Sequence, residues 1–178
     1  MKGWQRLIKI IGAFLVIVSS TGIGLYFSMM TKGRVKDLKA LKKEIYLLRG
    51  DISYGATPLP EAIGMLARRS KDHFQPFFQA LSVELEKLDG LTFAEIWDKC
   101  MLTSLGDTFL NDVDKELLKK LGDTLGYMDK EMQIKSIDLY AEQLELELTE
   151  AIQSEKEKTR LYNMLGVLCG IFITVVLI

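Results

Sequence analysis

Histidine, cysteine and proline are scarce in this chain of 178 residues, which holds one His, two Cys and three Pro. A lone His73 cannot, with two scattered cysteines, supply the four ligands of a structural zinc site. It lies in a polar turn, Lys71-Asp72-His73, where a surface or capping role is expected. Cys100 and Cys169 imply no disulfide framework and suit a reducing compartment. No G-x-x-x-x-G-K-[ST] loop is present, which excludes a P-loop nucleotide site, and no serine sits in G-x-S-x-G. Acid is missing by position: no Asp or Glu precedes Asp37 or follows Glu157. The carboxylates between fall at solvent-facing phases of amphipathic helices, and paired-carboxylate catalysis needs burial to shift their pKa values. No catalytic, metal or cofactor set emerges, and the chain is expected not to be an enzyme.

Charge is absent altogether from two stretches, Ile10 to Thr31 and Leu161 to Ile178. An α-helix rises 1.5 Å per residue and needs roughly 20 apolar residues to cross a hydrocarbon core of ~30 Å. The first stretch meets that length and the second just reaches it. The expected organisation is a tail and transmembrane helix over 1–31, a helical domain over 32–160, and a second transmembrane helix over 161–178. A cleaved signal peptide fits the first stretch less well, because the uncharged run exceeds an ordinary apolar signal region and no A-x-A site follows it. Basic residues orient the chain. Lys32, Arg34, Lys36, Lys39, Lys42, Lys43 and Arg49, with Lys156, Lys158 and Arg160, flank the middle, against Lys2, Arg6 and Lys9 in the tail. The positive-inside rule then places the middle in the cytoplasm and both termini outside.

The middle reads as helices throughout, an all-α antiparallel bundle of about six. Val35, Leu38, Leu41, Ile45, Leu48 and Ile52 recur at steps of three and four, and Gly55 is expected to close that helix in the left-handed conformation. Thr57 is expected to cap the next helix, with Pro58 at its first position, Glu61 in its first turn, and Ala62, Ile63, Leu66 and Ala67 facing inward. Pro76 opens a third helix with Phe77, Phe78, Leu81, Leu85 and Leu88 in phase, stopped by Asp89-Gly90. Thr92-Phe93-Ala94-Glu95 is a capping box for a fourth carrying Phe93, Ile96, Trp97 and Cys100. A fifth runs roughly from Asp112 to Leu121, closed by Gly122 and Gly126. From Asp129 on there is no proline, and Ile134, Ile137, Ala141, Leu144, Leu148 and Ala151 describe a long last helix able to run into the second uncharged stretch.

Three surfaces invite binding. The basic block of Lys32, Arg34, Lys36, Lys39, Lys42 and Lys43 reads as a topology signal on a solvated helix face or as a contact for anionic lipid. Nucleic acid is disfavoured, since no aromatics interleave with the block and the rest of the domain is acidic. The turn of Gly55, Thr57, Pro58, Leu59, Pro60 and Glu61 reads as helix punctuation or as a rigid partner-docking site. Ser20 and Gly24, and Gly166 and Gly170, are small-xxx-small pairs suited to packing of the spans. Neither uncharged stretch holds an ionisable residue of the kind that marks an ion pathway.

The run from Arg49 to Ala62, with Gly50-Asp51-Ile52-Ser53-Tyr54-Gly55-Ala56-Thr57-Pro58-Leu59-Pro60 at its centre, resembles the front motif of the stage III sporulation protein AB family of endospore formers. So do Leu121-Gly122-Asp123-Thr124-Leu125-Gly126 with Asp129-Lys130-Glu131-Met132-Gln133, and the ending from Leu161 to Gly170. The resemblance implies a mother-cell membrane protein of the channel to the forespore. It also implies a domain similar to the cytoplasmic F domain of type II secretion and type IV pilus platform proteins. By that analogy the expected partners are the channel's membrane subunits and a cytoplasmic ATPase, stage III sporulation protein AA. The platform proteins carry two such domains and this chain one, so self-association is a natural expectation. A membrane-anchored adaptor relaying a signal through the long last helix is the alternative. Lipid or cell-wall hydrolysis lacks a nucleophile or metal set.

Overall fold

Apolar residues at helical spacing, four of the five connections punctuated by Gly or Pro, and an absence of strand-like alternation produce an all-α chain. The computed structural model describes residues 2–126 and 129–177, with the backbone alone at 2–11, 13–18, 20, 21, 23–25, 27, 72, 159, 160, 162, 163 and 165–177. Among the described residues there are six α-helices, one 3-10 turn and no strand. The helices are α1 (Lys2–Ser53), α2 (Leu59–Arg69), α3 (Gln75–Lys87), α4 (Phe93–Ser104), α5 (Asp112–Leu125) and α6 (Lys130–Leu177), with the 3-10 turn at Asp72–Phe74.

The chain divides into two units, one of Met1–Lys32 with Ala151–Ile178 and one of Gly33–Glu150. The first consists of helix among its described residues. No helix is long and apolar enough to cross a membrane among the described residues. The two uncharged stretches expected to span lie largely where only backbone is described. The packing pairs Ser20 and Gly24, and Gly166 and Gly170, fall outside the described side chains.

The Gly33–Glu150 unit is the bundle. Leu38, Leu41, Ile45, Leu48 and Ile52 of α1 are buried, as are Ala62, Ile63, Leu66 and Ala67 of α2. Phe77, Phe78 and Leu81 of α3, Ile96, Trp97 and Cys100 of α4, and Ile137, Ala141, Leu144 and Leu148 of α6 complete this core. Each large side chain so buried contributes about 1.5–3 kcal/mol against the entropy of ordering the chain. Short connections pack α2 on α3, α3 on α4 and α4 on α5. Ion pairs Arg49–Asp138, Lys42–Glu145 and Arg34–Glu147 join α1 to α6, the α6 number falling as the α1 number rises, so these two are antiparallel. The bundle therefore has two distinct ends. Gly33, the 70–74 turn, the 105–111 loop and Glu147 gather at one. The 54–58 and 88–92 connections, with Gly126 and Asp129, gather at the other.

Several helix boundaries differ from the spacing-based expectation. The left-handed residue after α1 is Ala56, at φ 49°, rather than Gly55. Gly55 is required for another reason: a Cβ there would fall 2.6 Å from Asp51 O and 2.7 Å from Thr57 Oγ1. α2 begins later than the Thr57 cap implies, with Pro58 at the cap and Pro60 in the first turn. Leu88 is not the last core residue of α3. It takes φ 53° at the helix end and stands 89% exposed, so the stop comes before Asp89-Gly90. Gly122 does not end α5, which runs to Leu125. It lies inside the helix beneath Trp97, where a Cβ would overlap the indole. The Thr92–Glu95 capping box forms as the sequence indicates, and a second one, Asn111–Asp114, starts α5.

Candidate interaction surfaces

At the Gly33 end two carboxylates are buried, and each is matched. Asp114 accepts from Arg34 Nε at 2.8 Å and Nη2 at 2.7 Å, and from the Asn111 N–H at 3.0 Å. Its own N–H donates to Asn111 Oδ1 at 2.8 Å, closing the capping box. Arg34 also donates to Glu147 at 2.7 Å. The Asp114 carboxylate, and Glu147 with it, hold the guanidinium further into its protonated form. Asp37 accepts from the Phe109 N–H at 2.7 Å and lies 3.0 Å from His73 Nδ1. This arrangement ties the 70–74 turn and the 105–111 loop to α1. His73 keeps a surface place, its side chain 38% exposed, and has a specific partner there, the buried Asp37.

These pairs also correct the basic face. Arg34 reaches into the bundle and Lys42 is paired with Glu145, so neither offers a free charge. Lys32, Lys36, Lys39 and Lys43 are exposed. Among the described residues Lys36, Lys39 and Lys43 enter no ion pair, and their spacing of three and four puts them on one side of α1.

The opposite end carries the proline turn. Tyr54 N–H donates to Gly50 O at 2.9 Å and Thr57 N–H to Asp51 O at 3.3 Å, while Arg69 reaches back to Asp51. The turn is therefore braced from α1 and α2 together. Tyr54, Gly55, Ala56, Pro58, Pro60 and Glu61 are exposed and Thr57 is half-buried. Leu59 is not part of the offered surface, because it packs into the core. Tyr54, 88% exposed, has company from the next connection at this end, where Leu88 and Leu91 are exposed. Helix phase alone assigned Leu88 inward. Only the left-handed backbone at that residue turns it out.

Between α4 and α5 lies an open hollow of about 400 Å³ lined by Met101, Leu102, Leu105, Asp112, Lys115 and Glu116. Asp98 and Lys119 also line it and are paired with each other. Cys100 nearby is buried, and burial pushes its thiol up from the ordinary range, away from the reactive thiolate. Among the described residues no group of three His, Cys, Asp or Glu could hold a metal ion.

The family model for stage III sporulation protein AB matches residues 9–178. The chain belongs to that family. Among the family's curated members, stage III sporulation protein AB of Bacillus subtilis (strain 168) is 28% identical over 172 residues, covering 96% of this chain and 99% of the relative. A solved structure of a stage III sporulation protein AB superposes with a TM-score of 0.64 at 27% identity, covering 70% of this chain and 98% of that one. The family match includes both uncharged stretches. The front motif of the family's resemblance, Arg49 to Ala62, is the segment that builds the braced turn. The motif around Gly122 is the one that seats Trp97.

Proposed function

We propose that this chain is a non-enzymatic platform subunit, needed for endospore formation, that assembles a secretion-like channel between mother cell and forespore. The observation that carries this reading is the geometry of the bundle's ends. Its two chain ends lie side by side, joined by Arg34–Glu147, as two spans leaving one bilayer face require. In this reading the uncharged stretches are transmembrane helices of the mother-cell membrane, and the 33–150 bundle is cytoplasmic. The end with the proline turn docks a cytoplasmic ATPase of the stage III sporulation protein AA type. Other channel subunits contact the spans and the bundle's sides. Membership in a sporulation family and the matched, non-converging carboxylates support a holding role over a converting one.

Deletion of the gene tests the role. Engulfment is expected to complete and forespore development to halt afterwards, with recovery on expression of the full chain. Normal heat-resistant spore yield in the clean deletion would sink the proposal.

A further inference from the structure

α6 carries two seams. The inner one, Ile137, Ala141, Leu144 and Leu148, is buried in the bundle. The outer one places Met132, Leu139 and Leu146 at intervals of seven, 44%, 57% and 72% exposed, with Glu142 between the leucines and Glu150 beyond. A seven-residue apolar row is the contact pattern of a helix that meets another helix. On α1, Lys36, Lys39 and Lys43 form a stripe without an ion pair among the described residues.

We propose that the outer face of α6 binds the α1 lysine face of a second copy of this chain. The inference rests on the reading of the chain as an assembly subunit. Charge selects the occupant. α6 against a second α6 would set Glu142 and Glu150 against their like. Anionic lipid would satisfy the lysines but repel the acids that flank Leu139 and Leu146. The lysine face satisfies both sides: its aliphatic stems lie over the leucines and its ammonium groups reach the glutamates. α1 and α6 are neighbours within one bundle through Arg49–Asp138 and Lys42–Glu145. A twofold axis therefore places each α1 on the other copy's α6, and the contact closes as a dimer.

Charge exchange in the solubilised full chain tests this, with sedimentation velocity as the readout and circular dichroism as the check on folding. Lys39→Glu alone and Glu142→Lys alone are each expected to weaken self-association by at least about tenfold. Mixing the two singly reversed chains is expected to restore a heterodimer, since both contacts then again pair opposite charges. A monomeric wild type, single reversals without effect, or a mixture that stays monomeric would each overturn the proposal. So would a Lys39→Glu chain that loses binding to phosphatidylglycerol vesicles with its self-association unchanged, which assigns the stripe to lipid. Failure here leaves the deletion phenotype untouched, so the two readings are separable.

Discussion

Arg34→Ala is expected to destabilise the bundle by about 3 kcal/mol, at the lower end of the cost of breaking a buried ion pair. The reason is what remains. Asp114, with its side chain fully buried, keeps only the Asn111 N–H as a donor, and Glu147 loses its partner. The Asp114 carboxylate also belongs to the capping box of α5, so Asp114→Ala removes one of the box's two hydrogen bonds as well as a charge. The double variant is expected to cost less than the sum of the two, because it leaves no orphaned buried charge at that pair. Urea unfolding of the full chain, followed by loss of helical circular dichroism, measures all three. An Arg34→Ala chain within about 0.5 kcal/mol of the parent would show the pair to behave as a solvated surface bridge.

Trp97→Ala is expected to cost about 4 kcal/mol, in the range for deleting a large buried aromatic. Trp97 is fully buried, meets Phe77 edge-on at 5.1 Å between ring centroids, and lies 5.6 Å from Phe93. Its Nε1–H donates to Leu118 O at 3.1 Å, so the substitution also removes the contact that pins α4 to α5. Gly122 is the other half of this joint. A side chain there overlaps the indole, so Gly122→Val is expected to harm the parent chain and to be better tolerated once Trp97 is alanine. Additive effects in the Trp97→Ala/Gly122→Val pair, read by the same unfolding, would contradict the close packing.

Helix existence was legible in the chain because apolar spacing reports burial. Ile45, Leu66, Phe77 and Leu144 all lie where their phase implies. What spacing does not report is reach across the fold. Arg34 looks like one more member of a basic face, yet its guanidinium travels to Asp114, 80 positions away. Gly122 reads as a stop because glycine favours helix ends, while here its missing Cβ admits a tryptophan from another helix. The Asn111–Asp114 capping box was present as Asn followed three residues later by Asp, a weaker form of the Thr92–Glu95 signature. The proline turn was legible as punctuation, but its bracing by Arg69–Asp51 and the exposure of Leu88 beside it depend on tertiary placement. The outer row of Met132, Leu139 and Leu146 was hidden because the acids interspersed with it read as a plain solvated face.

The central claim is that this bundle works by holding a partner at the end remote from Gly33. Site-specific photocrosslinking during sporulation tests it most directly, with a photoreactive residue placed at Pro58 or Glu61 of the turn, or at Asp107 of the opposite end, in the full chain. The account predicts adducts with a cytoplasmic ATPase subunit from Pro58 and Glu61 and none of that species from Asp107. Chains that support normal sporulation yet give no ATPase adduct from the turn, or give it equally from Asp107, would contradict it.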